Sequence, residues 1–151
     1  MPFVGVSMCV VARSNEMAPV PGSAAEVTSP KVCIVETDPE ERAALAHLLG
    51  HLPIPVSTFD SAEALLDALE GIDCRVLISD LSLPGKSGLE LLQELSARGR
   101  RVPTILLAEG SDVGTAVHAM RAGAMDFIEK PVIDRILLRR VKDVLARPPA
   151  S

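Results

Sequence analysis

Tryptophan and tyrosine are absent, and the aromatics amount to Phe3, Phe59 and Phe127, 2% of 151 residues. That excludes the ring platforms on which single-stranded nucleic acids stack. Positive charge is also in deficit: 15 lysines and arginines against 20 acids leave a net charge of −5. Such a balance is not built to neutralise a phosphate backbone, so no direct nucleic-acid partner is expected. Cysteine is sparse. Cys9, Cys33 and Cys74 form no CxxC pair, and His47, His51 and His118 do not cluster. This argues against a zinc site or a disulfide framework and suits a reducing cytoplasm. No apolar run reaches membrane-spanning length, so no membrane partner is expected. The stretch from Phe3 to Ala12 contains Gly5 and Ser7 and has no basic residue before Arg13, so it does not read as a signal peptide.

What is present is a core. Apolar residues make up 48% and charged residues 23%, the balance of a packed domain of ordinary size. Residues 1–30 are punctuated by Pro19, Pro21, Gly22 and Pro30 and read as a flexible leader. Residues 31–147 carry the domain, and 148–151 a short tail. Within the domain, short apolar runs alternate with helix-period segments. Val32–Val35, Pro55–Phe59, Val76–Ser79, Thr104–Ala108 and Phe127–Ile128 read as strands. Pro39 opens a helix that Gly50 ends. Asp60 with Glu63, and Ser87 with Glu90, have capping-box spacing before leucine-rich segments. Ser111 or Asp112 caps a fourth helix through Val113, Val117 and Met120, stopped near Gly123. Ile133 to Leu145 is a long amphipathic helix. Five strand–helix pairs imply an α/β fold: a doubly wound, five-stranded parallel sheet with helices on both faces.

Functional groups in such sheets sit beyond the carboxyl ends of the strands. Glu36, Thr37 and Asp38 follow the first run, Asp80 the third, Glu109 the fourth (after Ala108), and Lys130-Pro131 the fifth. A carboxylate at Asp80 is suited to attack phosphorus or to hold Mg²⁺, and Lys130 is a compact positive charge for a phosphoryl oxygen. Taken singly, Asp80 reads more simply as a turn cap; its joint placement with Lys130 shifts that reading. Glu109 is more simply solvated, with pairing to Lys130 the other reading. Arg98, Arg100 and Arg101 read as a solvated loop. Arg135, Arg139 and Lys142 line one face of the last helix. Phosphate-loop, dinucleotide, nucleophile-elbow and zincin motifs are absent.

Residues 31–146 resemble a receiver domain of two-component response regulators. The resemblance rests on IVETDPEER (34–42), FDSAEALL (59–66), LISDLSLPGKSGLELL (77–92) and AVHAMRAGAMDFIEKP (116–131), in wording similar to the nitrogen-regulation and LuxR-output branches. It implies a flavodoxin-like (CheY-like) sheet of order 2-1-3-4-5 and a stand-alone, non-enzymatic module of phosphorelay signalling. It further implies Asp80 as phosphoacceptor for a sensor histidine kinase, Lys130 as the phosphoryl-contacting lysine before a cis proline, and Phe127 as the switch aromatic. The metal positions are Glu36, Thr37, Asp80 and, through its backbone carbonyl, Ser82. Gly88 falls in the turn into the third helix. Receivers of this kind commonly pair through the fourth and fifth helices, which makes that face a candidate homodimer surface.

Two positions depart from the pattern. Thr37 stands where the family has the direct carboxylate ligand of Mg²⁺, so the cofactor is expected to bind weakly. Ala108 stands at the phosphoryl-contacting Thr or Ser, and a methyl group donates no hydrogen bond to couple phosphorylation to Phe127. The resemblance leaves open an orthodox phosphorylated receiver and an atypical one with weak or no phosphorylation that signals through protein contacts. The two departures favour the second. A small flavodoxin-like enzyme or nucleotide-binding protein is the alternative. With only Arg147–Ser151 after the last helix, DNA output is expected to come from a partner protein.

Overall fold

The computed structural model describes residues 29–110 and 113–147. The readings of 1–28 as leader, of 148–151 as tail, and of Ser111 or Asp112 as a cap lie outside the described residues. Five strands form one parallel sheet: β1 Pro30–Val35, β2 Val56–Phe59, β3 Asp73–Asp80, β4 Thr104–Ala108 and β5 Asp126–Glu129. Their order is β2-β1-β3-β4-β5. The helices are α1 Pro39–Leu49, α2 Ala62–Ala68, α3 Gly88–Ala97, α4 Val113–Arg121 and α5 Asp134–Leu145, with a short 3₁₀ turn at Leu69–Gly71. β1 begins at Pro30, inside the stretch read as leader, where it pairs with Asp73.

The alternation of side chains along β1 divides the core. Val32 and Ile34 pack with Leu45 and Leu49 of α1 and Leu137 and Val141 of α5. Cys33 and Val35 face the other way, onto Leu65 and Leu66 of α2 and Leu91 and Leu95 of α3. A third cluster joins Leu92, Leu106, Ala119 and Ala124, with Phe127 half-buried against it. Both sheet faces are therefore covered, which is why the strands read as unbroken apolar runs. Cys33 and Cys74 are brought together in this core as free thiols. A hydrogen bond with Cys33, together with burial, holds the Cys74 thiol far above the ordinary thiol range.

Helix starts follow local chemistry. Asp38 caps α1, accepting from the Glu40 amide at 3.2 Å, and Pro39 occupies the first turn. The capping box of α3 forms as the spacing predicts, with Ser87 and Glu90 each accepting the other's backbone N–H. At α2 the expectation of an Asp60 cap is corrected. Ser61 adopts the extended cap conformation and accepts from the Ala64 amide at 3.1 Å, while Glu63 accepts from the Lys86 amide. Arg100 also departs from the solvated-loop reading: its guanidinium donates to the carbonyls of Leu69 and Ile72 and ties down the 3₁₀ turn. Gly88 is buried at the start of α3, where a Cβ would lie 2.4 Å from the Asp80 carbonyl oxygen. Only glycine lets α3 approach the end of β3 this closely.

Candidate functional site

Register brings the strand ends to one rim. Val35 pairs with Ser79, so Glu36 emerges beside Asp80; Asp80 pairs with Leu107, and Ala108 pairs with Glu129. The Lys130 amide then bonds the Ala108 carbonyl at 2.7 Å, and the Lys130–Pro131 peptide is cis. Strand order reverses between β1 and β3, the position where α/β sheets leave a crevice.

Three carboxylates meet one ammonium in this crevice. Lys130 Nζ lies 2.7 Å from Glu41 Oε1, 3.1 Å from Asp80 Oδ2 and 3.2 Å from Glu36 Oε1. Asp80 and Glu36 are buried, so these are short contacts in a poorly solvated place. Burial pushes the Glu36 carboxyl above the ordinary carboxylate range; the Asp38 amide and Lys130 oppose this, and the Asp80 charge adds to it. For Lys130 burial acts downward, yet the hydrogen bonds it donates to Glu41 and Asp80 prevail and hold it above the ordinary lysine range.

Glu36, Asp80 and Lys130 thus come together as the strand ends imply. Thr37 does not join them. Its hydroxyl donates to the Asp60 carbonyl at 3.4 Å, on the β2 side. Asp38 is occupied as the α1 cap. Glu109 is exposed and takes no part in the ion pairs of Lys130, in line with its solvated reading and against the pairing. Ser82 contributes its amide to Asp80 Oδ1 at 3.3 Å. Two residues were missed in the sequence. Glu41 reaches the lysine from the first turn of α1, and Arg42 donates to the carbonyls of Glu36 and Thr37. Their only sequence signal was a charged first turn after Pro39, which is ordinary for a helix start.

All four oxygens of Glu36 and Asp80 already accept a hydrogen bond, from Asp38, Ser82 or Lys130. Thr37 is turned aside, and among the described residues no three His, Cys, Asp or Glu side chains are grouped to hold a metal. These residues do not fit a preformed octahedral cation site.

The family model for the response regulator receiver domain matches residues 32–142. The chain belongs to this family. The transcriptional regulatory protein FixJ of Azorhizobium caulinodans is 40% identical over 116 residues, which cover 77% of this chain and 55% of that protein. FixJ of Rhizobium meliloti is 37% identical over 116 residues, 77% of this chain and 57% of that one. The chain therefore spans little more than half the length of these relatives. Among solved structures, a receiver protein from Pseudoalteromonas atlantica is 39% identical with a TM-score of 0.72, covering 78% of this chain and 98% of that chain. The receiver assignment accounts for the cleft, and the alternative of a flavodoxin-like enzyme or nucleotide binder gains no support beside it. Receivers are two-component signalling proteins, generally not enzymes, and generally bind Mg²⁺ at the phosphorylation site. They act with sensor histidine kinases and other signalling proteins. No described helix is long and apolar enough to cross a membrane.

Proposed function

We propose that this receiver is an atypical one: Asp80 accepts phosphoryl slowly, Mg²⁺ binds weakly, and output runs through protein contacts in the cytoplasm. The observation that carries this reading is the Asp80–Lys130 pair at 3.1 Å beside a Thr37 whose hydroxyl faces Asp60. The acceptor and its cation are kept, and the missing carboxylate is a metal ligand. In the transfer, an Asp80 oxygen forms a bond to phosphorus, the bond from phosphorus to the donor histidine breaks, and the imidazole nitrogen keeps the electron pair. Any Mg²⁺ would be held by Glu36 and Asp80 and would supply charge neutralisation. Lys130 orients an oxygen of the acceptor, and the Ser82 amide holds the other.

The switch reading of Phe127 is limited at Ala108, two residues along β4 from its register partner Leu106. Ala108 is buried and offers a methyl where a hydroxyl would follow the phosphoryl group. A homodimer through α4 and α5 is supported by the exposed Val117 and Met120 of α4, Ile133 just before α5, and the exposed Arg135, Arg139 and Lys142 of α5. The test is acetyl phosphate with and without Mg²⁺, read by intact mass, with Asp80→Asn as blank. Slow, incomplete labelling confined to Asp80 is expected. Rapid stoichiometric labelling would overturn the atypical reading, and label surviving in Asp80→Asn would overturn the acceptor.

A further inference from the structure

An ammonium group has three N–H donors and no acceptor. At Lys130 three carboxylate oxygens take them, and the shortest contact, 2.7 Å, is to Glu41. The cation is saturated. A phosphoryl oxygen on Asp80 needs one of those donors, so one acceptor must yield. Asp80 itself carries the incoming group. The Glu36 side chain is 3% exposed, and releasing it would strand a desolvated charge. The Glu41 side chain is 43% exposed, so water replaces the lysine there at little cost.

We propose that Glu41 is a place-holder for the phosphoryl oxygen. It satisfies Lys130 in the resting receiver and lets go when Asp80 is phosphorylated. The proposal rests on the reading of Asp80 as phosphoacceptor. Glu41 is the displaceable partner because it is the accessible one, and it competes with the phosphoryl group for the same donor. Glu41 and Lys130 also rim a groove of about 550 Å³ with Leu48, Glu109 and Val132. Release turns an ion-paired carboxylate into a free one at that rim. This is a route out of the cleft that does not pass through Ala108.

The experiment uses the full chain, wild type against Glu41→Gln, with two readouts. In the resting protein, hydrogen exchange of the Lys130 ammonium is followed by ¹⁵N NMR; it should quicken in Glu41→Gln. Labelling of Asp80 by phosphoramidate at fixed Mg²⁺ is followed by intact mass, with Asp80→Asn as blank. There an Asp80 oxygen bonds phosphorus, the phosphorus–nitrogen bond breaks, and nitrogen leaves with the electron pair as ammonia. Glu41→Gln should label about threefold to tenfold faster, the range for losing one partly solvated charge-assisted hydrogen bond. Unchanged ammonium exchange overturns the proposal. So does an equal or slower labelling rate in a variant whose parent labels at Asp80, which leaves the phosphoacceptor reading intact. No labelling of either protein overturns that reading and the place-holder with it.

Discussion

The cleft at the ends of β1, β3 and β5 and the path from β4 to β5 lie side by side, yet they have been treated differently. The cleft gathers Asp80, the buried Glu36 and Glu41 around Lys130. The path keeps its geometry, with Ala108 paired to Glu129 and Phe127 packed on Leu106 and Ala119, but carries no hydroxyl at Ala108. On the proposed reading, receiving and transmitting are separable. The first needs charge at one point, the second a polar atom that bonds differently in two states.

The largest expected effect comes from emptying the cleft of its cation. Lys130→Met leaves buried Glu36 and Asp80 facing each other and should lower unfolding free energy by about 3 kcal/mol in urea titrations. The sign in alkali follows from the raised lysine. Its stabilisation is present below its ordinary value near 10.5 and is lost as pH rises through the higher folded value. Wild type should show that alkaline loss and Lys130→Met should not. A loss under about 1 kcal/mol would make the cleft no more than a surface ion pair.

Restoring the metal ligand is next. Thr37→Asp should tighten Mg²⁺ about tenfold in an NMR titration, because it adds a charged oxygen ligand. No tightening would show that a carboxylate at position 37 does not reach the cation. Ala108→Thr should cost about 1 kcal/mol for a buried hydroxyl and enlarge any phosphorylation-dependent NMR shift at Phe127. Equal shifts in both proteins would show that the β4–β5 path was never limited by Ala108. The smallest effect is in acid. Glu36 is raised, so its contribution is full below about 4.5 and falls as pH rises through its folded value. Urea midpoints for Glu36→Gln relative to wild type should therefore rise across that window. A flat difference would mean that Glu36 is not desolvated.

Asp80 and Lys130 were legible because each closes an apolar run, and a strand ending in a parallel sheet delivers its last residues to one edge. Glu41 was not, because an acid in the first turn of a helix is ordinary on its own. Its role depends on α1 lying over the end of β5, and it meets Lys130 across 89 positions of chain. The Asp60–Glu63 spacing pointed to the wrong cap, because serine caps as well by type and the extended backbone falls at Ser61. Arg100 resembled any loop arginine until acceptors 28 and 31 residues away were placed beside it.

Short-range periodicity and turn chemistry determined the alternation of strands and helices, and so the fold class and the residues that reach its upper edge. Those signals act within a few residues and need no partner. Tertiary structure decided which charges share a donor, which threonine turns aside, and which carboxylate is free to leave. Distance, burial and register between remote segments decide such contacts, and no local pattern encodes them.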